Sequence, residues 1–371
     1  MRPIHRWAVV AGVFVLLALA PMAGRAIPAH DRSLSAGQLL SLVRDGYTAP
    51  YSGTVEASGR LGLPFNDRFT DLADLLGGQT RLRVWWRGPD DWRVDRLLDT
   101  GEVDLFHHQD VTTQWDYERD EASVGPDPEI RLPRDSDLLP PRLAALLLAG
   151  ADGSDGSSGS QDESQVSRLG ARRIAGRDGL GLRLRVDDPR SSIDHVDLWA
   201  DASTGTVLAI DVYGAGSVPV LTSAFTSFDS ARPTFDVTRF RAPAGVRQHF
   251  EPLLDFADAA NQYAPLTPPE TLAGLARSNR KGRGVGAYGT GPTRLVAIPL
   301  QQRDAAVLTD QLYNSGATMR HGQSLLRAGP LGIMLTAIHS PFEFQWLLTG
   351  TVTDDTLRRA AAGLARGSSY R

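Results

Sequence analysis

Between Arg81 and Tyr117 the chain reads RLRVWWRGPDDWRVDRLLDTGEVDLFHHQDVTTQWDY, and no other stretch limits the possible folds so sharply. Leu82, Val84 and Trp86 alternate with Arg81, Arg83, Trp85 and Arg87. Trp92, Val94 and Leu98 follow at even spacing, and Val111, Thr113, Trp115 and Tyr117 close the series. A period of two gives each segment one apolar face, which a strand can bury and a helix cannot. Gly88-Pro89-Asp90, Asp99-Thr100-Gly101 and Gln109-Asp110 are the residues that turn a chain back on itself. The expectation is a meander of four antiparallel strands. Four of the seven tryptophans fall here, more aromatic surface than a strand ladder needs and enough to line a hydrophobic concavity.

The flanking residues extend this sheet. Ser33 or Ser35 can cap a helix running to Arg44, with Ala36, Leu39, Leu40 and Val43 as its apolar stripe and Gly46 as its end. Tyr51, Gly53, Val55 and Ala57 alternate as a first strand, and Leu61-Gly-Leu-Pro breaks it. Phe65, Phe69, Leu72, Leu75 and Leu76 share one side of a helix that Gly77-Gly78 can terminate. After Tyr117 a polar, proline-containing loop leads to a Leu- and Ala-rich helix from Pro140 to Leu148. The segment 152–164, DGSDGSSGSQDES, has no apolar residue and is expected to be a mobile loop inserted in the domain. Strands then resume at Leu182 to Val186, Val196 to Leu198, Val207 to Tyr213 and Leu221 to Phe228, with a hairpin turn at Asp201 to Gly205. A strand every eleven or twelve residues suits a strongly curved or incompletely closed barrel.

Periodicity is lost after Val246, which puts a linker at 248–266 and bounds a first domain at 33–247. A second unit over 267–367 reads as a helix from Thr267-Pro268-Pro269-Glu270, a strand Arg294 to Leu300 and a helix Asp304 to Asn314. Strands Gln323 to Arg327, Leu331 to His339 and Phe342 to Val352 follow, and then a final helix from Thr353. This predicts a small α+β domain with its helices on one face of an antiparallel sheet.

Address and charge narrow the partners. Arg2 and Arg6 precede an apolar run from Trp7 to Ala20, and Gly24-Arg25-Ala26 offers a small-x-small cleavage site, so residues 1–26 read as a secretory signal peptide or an uncleaved membrane anchor. The formal net charge is -4, and removing the leader's three arginines takes it to -7. Nucleic acid is not a natural partner for such a chain. There is no cysteine, which excludes a lipidation site, disulfides and thiolate chemistry. Lys281 is the only lysine among 39 basic residues, as a GC-rich coding bias would produce.

No motif announces catalysis or a cofactor. His107 and His108 are neighbours, and neighbours on a strand point to opposite faces, so they cannot share a metal. Gly284-Val-Gly286-Ala-Tyr-Gly289 has the spacing of a dinucleotide fingerprint but follows a helix and precedes a strand, the reverse of the required order. It reads as a flexible loop. Asp187-Asp188 and Asp354-Asp355 sit at a strand end and in the first turn of a helix, where acids favour the dipole. No G-x-S-x-G elbow occurs.

The order of W-W-R-G-P-D-x-W-R-V, F-H-H-Q-D-V-T-T-Q-W-D-Y, RRIAGRDGLGLRLRVDDP, VDLWADASTGTVLAIDVY and FTSFDSARPTFDVTRFRAPAGV resembles the bacterial LolA-like superfamily of lipoprotein carriers and the RseB/MucB-type regulators of envelope stress. Asp110-Val111 replaces that pattern's Asp-Gly. The resemblance implies an α+β protein: an N-terminal antiparallel half-barrel with covering helices, then a smaller C-terminal α+β domain as in the RseB type. It further implies a non-enzymatic, exported protein that binds a lipid or lipoprotein acyl chain in the half-barrel and contacts a membrane-bound anti-sigma factor. A carrier without such a partner, and a secreted hydrolase, remain open alternatives. The alternation nominates Leu82, Val84, Trp86, Trp92, Val94, Trp115, Leu184, Val186 and Leu198 as the lining of the acyl cavity, with plain core packing as the competing reading.

Overall fold

The computed structural model describes residues 28–61, 77–127, 130–131, 133–149, 165–250, 266–279, 284–337, 344–367 and 369–370. The expected leader, the helix from Phe65 and the loop at 152–164 lie outside them. Helix α1 (Ala36–Asp45) begins with a capping box: the Ser35 hydroxyl accepts from the Gln38 amide at 3.1 Å, and the Gln38 side chain accepts from the Ser35 amide at 2.9 Å. Leu39, Leu40 and Val43 are its buried stripe. Gly46 ends it with an ordinary helical φ of -72°, so left-handed freedom is not why glycine stands there. A Cβ at Gly46 would lie 2.5 Å from the carbonyl carbon of Gly205, and one at Gly205 (φ +74°) would lie 2.0 Å from the Leu42 oxygen. The helix end and a hairpin turn meet backbone to backbone.

The expected meander is present. Strands β1 (Tyr51–Gly59), β2 (Gln79–Gly88), β3 (Asp91–Leu97), β4 (Glu102–His108), β5 (Val111–Asp116) and β6 (Glu121–Pro126) pair in succession. Helix α2 (Pro140–Leu148) follows, its Pro140 and Pro141 in the first turn where a missing N–H costs nothing. Then come β7 (Val166–Ile174), β8 (Arg177–Arg185), β9 (His195–Asp201), β10 (Val207–Tyr213) and β11 (Leu221–Asp229), the short α3 (Phe235–Thr238), and β12 (Arg247–Phe250). All join one open sheet of order β12-β6-β5-β4-β3-β2-β1-β11-β10-β9-β8-β7, antiparallel except where β12 runs parallel to β6. The sheet coils strongly. Ile174 and Ala175, at the tip of the β7–β8 hairpin, reach the core around Tyr51, and the Arg177 guanidinium lies 5.7 Å from the Phe228 ring on β11. Helices α1 and α2 cover the inner face over Leu182, Leu198 and Ile210, which makes this a roofed half-barrel.

Three strands depart from expectation. The residues read as a polar loop contain β6, β7 precedes the anticipated strand at Leu182, and β12 occupies the first part of the expected linker. Each lies at or near a sheet edge and shows little burial alternation, so no period of two could mark it.

The second domain holds β16 (Gly286–Thr290), β17 (Thr293–Gln301), α4 (Gln302–Asn314), β18 (Thr318–Arg320), β19 (Gln323–Ala328), β20 (Leu331–Leu335), β21 (Phe344–Gly350) and α5 (Asp354–Gly367). Its sheet order is β16-β17-β21-β20-β19-β18. In place of the helix predicted from Thr267 there are β13 (Leu266–Thr267) and a tight hairpin of β14 (Thr271–Leu272) and β15 (Leu275–Ala276). Ala273 and Gly274 both have positive φ, 50° and 78°, the conformation of a two-residue hairpin turn that closes before a helix can start. The glycine-rich segment expected as a flexible loop forms β16 instead. The helices also split between faces. Helix α5 packs on Leu295, Met334, Trp346 and Leu348, whereas α4 packs on Leu326 and Leu335, which alternate with them.

The two domains meet along the β8–β9 connection and the end of α2. Ser191 bridges to Val352, the Ser192 amide donates to the Thr351 carbonyl at 3.1 Å, and the Thr353 amide donates to the Arg190 carbonyl at 2.8 Å. Leu61 and Val220 pack on Ala328 and Leu331, and Ile130 on Val285. At α2, the Arg294 guanidinium donates to the Leu146 carbonyl at 3.4 Å. Gly291 (φ +58°) fits so closely that a Cβ would lie 2.6 Å from the Ala149 oxygen.

Candidate ligand-binding face

Cross-strand register builds the centre of the inner face. Tyr51 is paired with Trp86, Trp86 with Trp92, Trp92 with His107, and His107 with Thr112. Direct partners on one face bring their side chains together, and here they stack as a row of rings. From Phe228 through Tyr51, Trp86 and Trp92 to His107 the centroids are 6.2, 5.9, 5.8 and 5.0 Å apart, with interplanar angles of 24°, 6°, 10° and 15°. Leu82, Val84, Val94 and Leu105 fill the adjoining rows, and Leu138 and Leu139 press down from the segment before α2.

The nine nominated residues therefore divide. Leu82, Val84, Trp86, Trp92 and Val94 belong to this aromatic cluster. Leu184, Val186 and Leu198 belong to the neighbouring cluster beneath α1 and α2, with Val186 just past the end of β8. Trp115 does not join them; it sits on the outer face with Phe106, Ala122 and Phe240. The reason is parity. The two-residue turn Gln109-Asp110, with Gln109 at φ +56°, pairs His108 with Val111 and so turns Thr112 and Gln114 inward and Trp115 outward. The inner cluster is closed in this structure: Leu82, Val84 and Val94 are 0% exposed.

Arginines ring the roof. Arg142 of α2 lies 5.3 Å from the Trp86 ring, and Arg134 lies 5.6 Å from Trp92. Arg134 also holds Asp127 through two bonds, of 3.0 and 2.6 Å. Thr112 donates to Asp127 at 2.6 Å, which spends its only proton, so the His107 Nδ1 at 3.0 Å must be the donor to Thr112. Burial pushes His107 below the usual imidazole value, consistent with a neutral ring. Burial opposes charge on Asp127 as well, but the bonds from Arg134 and Thr112 outweigh it and hold the carboxyl below its ordinary value. With its threonine committed to an arginine-bound carboxylate, this His–Thr–Asp group is a structural clasp and has no free nucleophile.

The outer face carries a charged cluster that the apolar alternation did not nominate. Asp95 is 0% exposed, and Arg93 bonds it at 2.6 Å and Asp104 at 2.8 Å. Arg83 bonds Glu102 and lies 3.3 Å from Asp95. Burial, and then the neighbouring Asp95, push Asp104 up to about 7, and burial raises Asp95 as well. Asp95, Glu102 and Asp104 could together offer oxygens to a cation, but Arg83 and Arg93 already serve as their counter-ions. Arg93, Asp104, Phe106 and Trp115 floor an open pocket of about 250 Å³, walled by Asp236, Arg239, Phe240, Arg241 and Pro243 from the strap after β11.

The architecture is that of a half-barrel whose apolar, aromatic inner face is roofed by short helices, joined to a smaller α+β domain. Among solved structures, the chain is similar to the Pseudomonas aeruginosa MucA/MucB complex, at 15% identity over 88% of this chain and 96% of that one, with a TM-score of 0.49. It is also similar to MucB alone, at 15% identity over 90% and 98% with a TM-score of 0.46. A LolA superfamily protein from Nitrosomonas europaea matches at 9% identity over 56% of this chain and 99% of its own, with a TM-score of 0.24. No family model matches the chain, and no curated protein does.

Proposed function

We propose that this is an exported, non-enzymatic protein that binds an acyl chain of a lipid or lipoprotein on the inner face of its half-barrel and reports that occupancy through its second domain to a membrane-bound partner such as an anti-sigma factor. One observation carries the reading. Helix α2 roofs the aromatic row at its N-terminal end, where Arg142 covers Trp86, and seats the β16–β17 hairpin at its C-terminal end, where Gly291 and Arg294 meet its last carbonyls. Lifting this roof opens the closed cluster to an acyl chain, and each methylene it buries is worth about 0.8 kcal/mol. A nine-residue helix moves as a unit, so lifting one end disturbs the other. A ligand that favours one position of α2 shifts the second domain toward the surface that goes with it.

Export follows from the leader, which lies outside the described residues; among those residues no helix is long and apolar enough to cross a membrane. The test uses the mature full-length chain, an acylated lipopeptide and the same peptide without acyl groups. Only the acylated form is expected to bind, and it should change amide exchange both in α2 and in Gly286–Thr290. Equal binding of both peptides would end the acyl reading. Binding without any change in the second domain would leave a carrier in place of a regulator.

A further inference from the structure

Among the described residues, the aromatic row contains buried polar atoms with no hydrogen-bond partner. Tyr51 is 0% exposed and Trp86 1%, yet the Tyr51 hydroxyl and the Trp86 indole N–H are buried without a hydrogen-bond partner. The Nε of Arg142, whose guanidinium lies over the Trp86 ring, is buried and unpartnered too. The three side chains are contiguous: the rings of Tyr51 and Trp86 stack at 5.9 Å, and Arg142 acts electrostatically on Tyr51. Elsewhere on this face arginines are matched to acids, as Arg134 is to Asp127 and Arg131 to Asp137. Among the described residues, Arg142 has no such acid. Buried donors are nearly always satisfied, and each one left unpaired carries its full desolvation cost.

All three groups can donate, and the indole and guanidinium nitrogens can do nothing else. A row of donors beside an unmatched positive charge calls for an oxygen acceptor carrying negative charge, attached to something that can lie along Leu82, Val84, Trp92 and Val94. We infer that Tyr51, Trp86 and Arg142 form the receptor for the anionic head of an amphiphile, a carboxylate or a phosphate, whose tail follows the aromatic row. This rests on the acyl-binding reading and adds the ligand's polarity and orientation. The head sits beneath the first turn of α2, so its charge acts directly on the helix that reaches the second domain.

Four probes with a twelve-carbon chain test it on the full mature protein, by titration calorimetry and by tryptophan fluorescence: dodecanoate, dodecyl phosphate, methyl dodecanoate and dodecanol. The two anions are expected to bind at least tenfold more tightly than the ester and the alcohol, and whichever anion binds tighter identifies the head group. Arg142→Gln should remove that tenfold preference while leaving ester affinity within about twofold. Tyr51→Phe keeps the ring stack and removes one orphaned hydroxyl. It should weaken dodecanoate severalfold while raising the melting midpoint of the unliganded protein, a pair of effects that a purely structural tyrosine would not give. Equal affinity for anion and ester, or an Arg142→Gln variant that weakens all four probes alike, overturns the head-group receptor and leaves acyl binding intact. If no probe binds, the acyl reading and this inference fall together.

Discussion

Asp95 and Asp104 face each other as direct cross-strand partners in β3 and β4, bridged by the one guanidinium of Arg93. Burial, and for Asp104 then the charge of its neighbour, makes ionising both carboxyls costly, and the pair keeps a proton that ordinary aspartates lose near 3.8.

The sign of the resulting pH dependence is fixed. With Asp104 raised to about 7, the folded state binds more protons than the unfolded state between about pH 4 and pH 7. Stability from this site is greatest below pH 4 and falls as pH rises to 7. Asp104→Asn should therefore raise the thermal midpoint at pH 8 relative to the parent and leave the difference small at pH 4. A parent that grows steadily more stable from pH 4 to 7, with no difference from the variant, would contradict the shared proton.

Asp201 gives the opposite sign. Burial opposes its charge, but Arg177 at 2.7 Å, the Ser203 hydroxyl and the Ser203 and Thr204 amides at 2.9 Å overcome this and depress it to about 2. Its contribution is present above pH 4 and is lost as pH falls toward 2. Asp201→Asn should cost about 2 kcal/mol at pH 7 and little at pH 2, as urea titrations at the two pH values would measure.

Adjacent tryptophans should behave differently. Trp86 is a fully buried member of the ring row, whereas Trp85 points outward between Arg83 and Arg93, 5.9 and 5.1 Å from their guanidinium carbons. Trp86→Ala should cost about 3–5 kcal/mol, as large-to-small core changes do. Trp85→Ala should lose about 1 kcal/mol of cation–π contact. Similar losses in chemical denaturation would mean that the two faces are not distinguished.

Gly291 is one point where contact between the domains can be weakened by a single substitution. Alanine there must accept φ +58° and a Cβ 2.6 Å from the Ala149 oxygen, so the β16–β17 hairpin should lift from α2. Calorimetry is expected to turn one cooperative transition into two, with the transition of the half-barrel little changed. A single transition of unaltered midpoint would show that this seat does not bind the domains together.

How much of this was legible depended on whether a residue's surroundings lie near it in sequence. The meander and α2 were, because Leu82, Val84 and Trp86 keep a strict period and Pro140-Pro141 opens a helix. Strands β6 and β7 were not, since their burial barely alternates, and the positive φ of Ala273 that makes a hairpin of 271–276 belongs to a residue type that seldom adopts it. In the site, alternation correctly gathered Trp86 and Trp92, but the parity of Trp115 was decided by a two-residue turn. Arg142 had a faint signal, as the one charge in PPRLAALLL. Asp95 and Asp104 had another, as acids equidistant from the Asp99-Thr100 step of the turn between their strands.

The place of β1 in the sheet has a kinetic side. Its neighbours are β2, close in sequence, and β11, so that Thr54 and Ser227 bond across 173 residues. Strands β2 to β6 and β7 to β11 pair through short connections, but the seam between β1 and β11 must wait for a long loop to close, and such closure slows folding. Refolding rates should accordingly respond more to substitutions at Val55 and Phe225, partners across the seam, than to changes of equal cost at the β3–β4 hairpin. Until the seam forms, β1 and β11 each present a bare strand edge, and the nascent molecule is then most exposed to pairing with a neighbour of its own kind.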